Sequence, residues 1–163
     1  MAGSTRVRGR FLVVALTVAV TYFVCPIRFG VVYGHSMDPT LRPGQVCVLD
    51  RSYYDHQPIR RGDIIVFCLG DEVLTKRVYA APGDVMTALR FPTDGVYEIP
   101  SIRVDKLRHA LGRYPGEARV VSMRMADDQC FVLGDNADVS CDSRDFGPID
   151  TSTIIGKMVT ILD

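Results

Sequence analysis

The sequence has no excess of charge: 19 Lys and Arg stand against 19 Asp and Glu. A chain that holds nucleic acid needs a basic field, so that partner gets no support here. Acidic residues are missing from the N-terminal stretch, the first being Asp38, while Arg6, Arg8, Arg10 and Arg28 all precede it. That stretch is set apart from the rest. No C-x-x-C pair occurs among Cys25, Cys47, Cys68, Cys130 and Cys141, which removes the zinc and dithiol redox patterns, and five cysteines cannot all pair within one chain. Most read as small apolar residues; an extracytoplasmic domain could still form one bridge, and spacing does not say which. No internal repeat or low-complexity tract is visible. At 163 residues the chain can bury its own core as a single globular unit.

Charge is also absent from Phe11 to Ile27, FLVVALTVAVTYFVCPI, 17 residues at the short end of a bilayer-spanning helix. A retained anchor, a cleaved secretory signal and a buried core helix are the three readings. Tyr22, Phe23 and Val24 crowd the place of a small-x-small cleavage site, so a retained anchor is expected. The arginines before it put the N-terminus in the cytoplasm by the positive-inside rule. The layout is then a cytoplasmic tail at 1–10, an anchor at 11–27 and an extracytoplasmic domain at 28–163.

Beyond Arg28 short β-branched and aromatic runs alternate with Gly, Pro and Asp, which predicts a mainly β domain, a sheet or barrel. The predicted strands are Val31 to Tyr33, Val46 to Asp50, Asp63 to Cys68, Val73 to Tyr79, Val85 to Arg90, Ala118 to Met125, Cys130 to Leu133 and Thr153 to Leu162. Turns fall at Pro43-Gly44, Arg61-Gly62-Asp63, Pro82-Gly83-Asp84 and Gly134-Asp135-Asn136. Apolar spacing of three and four predicts one short helix around Val104, Leu107 and Leu111, within a small cap at 85–128.

Two stretches carry candidate chemistry. Gly34-His35-Ser36-Met37-Asp38-Pro39-Thr40-Leu41 presents a serine in a turn shaped by glycine and proline, and a serine needs a base before it attacks anything. Leu74-Thr75-Lys76-Arg77-Val78 puts a lysine on the same strand face as Leu74 and Val78. Burial there would lower its pKa and let it accept the serine proton. An edge-strand or snorkelling lysine is the plainer reading of Lys76 taken alone.

Four segments in order resemble the bacterial type I signal peptidase family. They are Ser36-Met37-x-Pro39-Thr40, then Arg61-Gly62-Asp63-Ile64-Ile65-Val66-Phe67, then Lys76-Arg77-Val78 with Pro82-Gly83-Asp84. The last is Gly134-Asp135-Asn136 with Ser140, Asp142-Ser143-Arg144 and Gly147-Pro148. The resemblance implies a membrane-anchored serine protease with a Ser/Lys dyad, Ser36 as nucleophile and Lys76 as base. Its substrates would be exported preproteins, cut after small-x-small motifs such as Ala-x-Ala, and it would sit single-pass in the bacterial cytoplasmic membrane, in contact with the lipid bilayer. By position, Ser140 would hydrogen-bond and orient the lysine amine, and Asp142 and Arg144 would hold the last segment in shape. The backbone N–H of Ser36 would serve the oxyanion, and Gly34 stands where many members add a serine hydroxyl. No metal or organic cofactor is implied.

Val32, of the same parity as Gly34 and Ser36, and Leu41 are expected to wall shallow pockets for small substrate side chains. His35 points away from Ser36 on an extended backbone, and His56 and His109 have no serine or ligand spacing nearby. Cys141 is a conceivable thiol nucleophile, yet it should point away from the face shared by Ser140 and Asp142. Competing functions are a conjugation-type maturation peptidase, a self-cleaving repressor-like Ser/Lys domain, against which the apolar run speaks, and an inactive membrane-anchored binding module.

Overall fold

The structure is a computed structural model that describes residues 25–90, 97–98 and 119–162. The predicted β-rich pattern becomes a seven-stranded sheet. Its order is β1 (Ile27–Val31), β2 (Val46–Asp50), β10 (Ile154–Leu162), β3 (Ile64–Leu69), β4 (Glu72–Ala80), β8 (Gln129–Leu133) and β9 (Ile149–Asp150). Every neighbouring pair is antiparallel. Residues expected to form a small cap supply a second sheet, in the order β6 (Tyr97–Glu98), β5 (Val85–Arg90) and β7 (Arg119–Arg124).

The core follows from which strands lack alternation. β8 reads QCFVL, an apolar run, and is buried on both faces. Cys130 and Val132 pack with Ile65, Phe67, Val78 and Ile149, while Phe131 and Leu133 pack with Met86, Ala88 and Met125 beneath the second sheet. On β4 a register shift against β8 falls between Val78 and Ala80, so these two residues of equal parity reach different clusters. A third cluster, Val32, Met37, Leu41, Cys47 and Met158, lies under the loop that follows β1.

The strands Val46–Asp50 and Val85–Arg90 match their predicted bounds. The first strand does not: it runs from Ile27 to Val31, with Ile27 opposite Asp50 and Val31 opposite Val46. Val32 still bonds to Gln45 and Gly44, at 2.9 Å each, but Tyr33 is 86 % exposed and Gly34 turns the chain at φ +74°. Of the apolar run Phe11 to Ile27, residues 11–24 lie outside the described residues, Cys25 and Pro26 have no regular secondary structure, and Ile27 opens β1. Pro26 has no N–H for a helix and biases Cys25 towards extended geometry. Among the described residues no helix is long and apolar enough to cross a membrane. The helix predicted around Val104, Leu107 and Leu111 also lies outside them.

Two helical turns, Tyr53–His56 and Ser143–Phe146, were not predicted, being too short for any periodicity to show. The second is fixed by a reciprocal cap. The Asp142 carboxylate accepts from the N–H of Arg144 (3.2 Å), and the Asp145 carboxylate accepts from the N–H of Asp142 (2.9 Å). All five cysteines are free thiols.

Candidate active site

Ser36 is placed by its neighbours. Met37 and Leu41, 2 % and 1 % exposed, plug the third cluster, and the Leu41 N–H donates to the Met37 carbonyl (3.0 Å). Ser36 itself stays half-buried, with its carbonyl accepting from the Asn136 N–H (3.0 Å) across the chain. Gly34, at φ +74°, occupies backbone space that a side chain would strain even though no atom crowds it. The lack of a hydroxyl two residues before Ser36 is thus matched to the shape of the turn. His35 points into solvent, its Nδ1 2.8 Å from Asp38 Oδ2.

Lys76 is 3 % exposed and forms no hydrogen bond or ion pair with another described residue. Its position on β4 is pinned by pairing with Ile65 on β3. Burial pushes its amine below the ordinary lysine range; Asp142 pulls the other way without reversing the direction.

Ser36 and Lys76 line one cavity of about 300 Å³. It is lined by Gly30, Val31 and Val32, by Val73, Leu74 and Thr75 next to Lys76, and by Cys47, Leu49 and Val66. Val32 therefore borders the cavity. Leu41 does not: it is buried in the cluster under the loop, where it anchors the turn. β1 is an edge strand of the sheet, so its outer backbone groups are available to another extended chain.

The segment after β8 comes up beside Ser36. A Cβ on Gly134 would overlap the Ser140 side chain and fall 2.5 Å from the Ser36 carbonyl oxygen, so only glycine lets these two chains meet. Ser140, Asp142 and Arg144 are 4 %, 0 % and 0 % exposed. Asp142 accepts from Arg144 Nε (2.7 Å), Arg144 Nη2 (2.6 Å) and the Gly134 N–H (2.9 Å). Burial raises the pKa of this carboxyl, but the Arg144 bonds and the Gly134 amide outweigh it and leave it below the usual range. Ser140 Oγ and Arg144 Nη1 are buried without a hydrogen bond of good geometry, so the bond from Ser140 to the Lys76 amine that the resemblance implies is not formed in this structure. Replacing Arg144 by leucine leaves Asp142 buried and unpaired, and should cost about 3 to 5 kcal/mol of stability in denaturant titration near pH 7. Because the folded-state pKa is depressed, the pair stabilises above the unfolded carboxyl value. The gap between the two proteins should narrow as pH falls through and below about 4.

A second ion pair was not anticipated. Arg77, next to Lys76, donates to both oxygens of Asp135 (2.8 and 2.7 Å) and to the Gly62 carbonyl (2.9 Å). Against burial, the Thr40 hydroxyl, in the serine loop, helps Arg77 hold the Asp135 carboxyl below the usual carboxylate range. One carboxylate thus joins the serine loop, β4 and the segment after β8. The partners are far apart in sequence, so no local pattern could pair them. Cys141 is exposed while its neighbours are buried, and partial burial of the sulfur and the nearby Asp145 raise its pKa, which keeps it a thiol. Among the described residues no group of three His, Cys, Asp or Glu could hold a metal ion.

A serine and a buried lysine on an apolar cavity beside an open strand edge suit a hydrolase of extended peptides. The chain belongs to the family described as "Signal peptidase, peptidase S26", whose family model matches residues 6–162. It is 35 % identical over 156 residues to signal peptidase I of Bacillus caldolyticus, covering 89 % of this chain and 84 % of that one. To signal peptidase IB of Staphylococcus aureus it is 32 % identical over 141 residues, covering 77 % and 72 %. A crystal structure of signal peptidase I from Enterococcus faecalis V583 aligns with a TM-score of 0.39 at 21 % identity, over 63 % of this chain and 98 % of that one. The protein is a serine endopeptidase of the type I signal peptidase class.

Proposed function

We propose that this chain removes signal peptides from exported preproteins after small-x-small motifs such as Ala-x-Ala, with Ser36 as nucleophile and Lys76 as general base. The observation that carries this reading is the shared cavity of Ser36 and a buried lysine with no counter-charge bonded to it. A neutral Lys76 takes the Ser36 proton as Oγ attacks the scissile carbonyl, then returns it to the leaving amine. The resulting acyl-enzyme is released by water activated by the same amine. The Ser36 N–H faces the oxyanion, and Gly34 adds no side-chain donor. Asp142 and Arg144 keep the Ser140 segment against the site. The apolar run that begins at Phe11 and precedes β1 anchors the chain in the lipid bilayer with its N-terminus in the cytoplasm and the β domain outside.

Incubating detergent-solubilised protein with a precursor carrying Ala-x-Ala should yield a product whose N-terminal sequence begins right after that motif. No cleavage, or cleavage elsewhere, contradicts the reading. Val32 borders the cavity, and its side chain limits the room for substrate. Val32→Ala should raise kcat/KM for Val or Leu at P1 or P3 relative to Ala by about 10-fold, the worth of a methylene or two. Unchanged ratios across the series would show that Val32 lines neither pocket.

A further inference from the structure

Ser36 and Met37 are the two central residues of a four-residue turn, closed by the Asp38 N–H donating to the His35 carbonyl (3.2 Å). The same outer residues close it a second time, His35 Nδ1 donating to Asp38 Oδ2 (2.8 Å). A carboxylate only accepts, so Nδ1 carries a proton and the bond forms whether the ring is neutral or charged. On the far side of Ser36 the chain is already held, by Met37 in the third cluster and by the Asn136 N–H on the Ser36 carbonyl. On the near side little holds it. Val32 bonds to Gln45 and Gly44, but Tyr33 and Gly34 are exposed and nothing lies within 4 Å of where a Gly34 side chain would stand. His35 is where that flank is tied down.

An exposed ion pair alone is worth little, and the His35 side chain is 69 % exposed. Asp38 differs from a surface carboxylate: its side chain is 29 % exposed, and Oδ1 is buried without a hydrogen-bond partner among the described residues. The group has given up water on one side, and His35 compensates on the other. Without the imidazole, Asp38 gains by swinging out to water, and one backbone bond is left to close the turn.

We propose that His35 and Asp38 are positioning residues for Ser36: their side-chain bond locks the turn that aims the serine hydroxyl at Lys76 and the serine N–H at the oxyanion. This rests on the reading of Ser36 as nucleophile and Lys76 as base. The pair acts through the backbone, since the dihedrals of His35 and Ser36 set both directions. Those directions matter most in the transition state, so a loosened turn lowers kcat more than it raises KM. A misplacement of about 1 Å can cost about 100-fold in rate. A turn that keeps its backbone bond and its buried methionine should lose less, about tenfold.

The test measures kcat and KM across pH for the full chain in detergent micelles, with an Ala-x-Ala peptide. His35→Ala and Asp38→Ala should each lower kcat about tenfold with KM within about twofold, and the double variant should be no worse than either, because both remove one bond. His35→Asn, whose amide nitrogen takes the place of Nδ1, should recover kcat to within about threefold of the native value. The acid limb of kcat/KM should not move, since Lys76 is untouched. Unchanged kcat in the single variants, an asparagine variant as slow as the alanine one, or multiplying losses in the double variant would overturn the inference. So would a rise in KM alone, which would make His35 a substrate contact, or a displaced acid limb in His35→Ala, which would make it the base. Thermal unfolding of each variant is followed in parallel; if Asp38→Ala does not fold, the contrast between alanine and asparagine at His35 decides. Failure of the native protein to cut the peptide would overturn the reading of the site, and this inference with it.

Discussion

Replacing Ser36 with alanine is expected to lower kcat for precursor cleavage by about five to six orders of magnitude while leaving the fold intact. The Ser36 hydroxyl makes no hydrogen bond to another described residue, so its removal strands no buried partner. What holds the turn is the burial of Met37 and Leu41 and the backbone bond from Asn136 to the Ser36 carbonyl, and alanine keeps all three. The midpoint of thermal unfolding should therefore stay within the range of an ordinary half-exposed substitution, about 0.5 kcal/mol in stability. Turnover measured on an Ala-x-Ala precursor, with unfolding followed on the same sample, separates the two effects. Residual activity above a few per cent would mean that another group attacks the carbonyl.

The second large effect concerns proton state. Burial lowers the Lys76 pKa, so kcat/KM should climb with pH through an apparent pKa below the roughly 10.4 of a free lysine. The sign is fixed by the role: the protonated amine cannot take the serine proton, so activity is lost on the acid side. Lys76→Arg should be inactive at every accessible pH, because guanidinium keeps its proton. Lys76→Met should be equally inactive yet no less stable. A lysine whose folded pKa is depressed destabilises the fold below its unfolded value, and methionine removes that cost while filling similar volume. An arginine variant with measurable turnover, or a methionine variant that keeps the acid limb, would take Lys76 out of the chemistry.

Much of this was legible in the sequence because the signals were local. β2 and β5 were bounded correctly from β-branched runs between turn residues, and the four segments brought Ser36, Lys76, Ser140, Asp142 and Arg144 forward by position. The first strand was displaced because Val31 and Val32 look alike in sequence. Which side of Val31 is paired depends on β2 across the sheet and on the positive φ of Gly34. Leu41 was expected in a pocket wall, since sequence shows that a residue is apolar but not which of two apolar surroundings it enters. The Arg77–Asp135 pair depends on contact between distant segments, and the cap joining Asp142 to Asp145 spans a single helical turn. Neither leaves a periodic trace.

Acyl transfer through Ser36 can be observed directly. Acid-quenching the native protein during turnover of an Ala-x-Ala peptide ester, followed by mass mapping of its fragments, should find the acyl group on the fragment containing Ser36. The same adduct should be absent from Ser36→Ala and from Lys76→Met. An adduct on the fragment containing Cys141, or one that forms at an undiminished rate without Lys76, would contradict the serine and lysine roles proposed for this site.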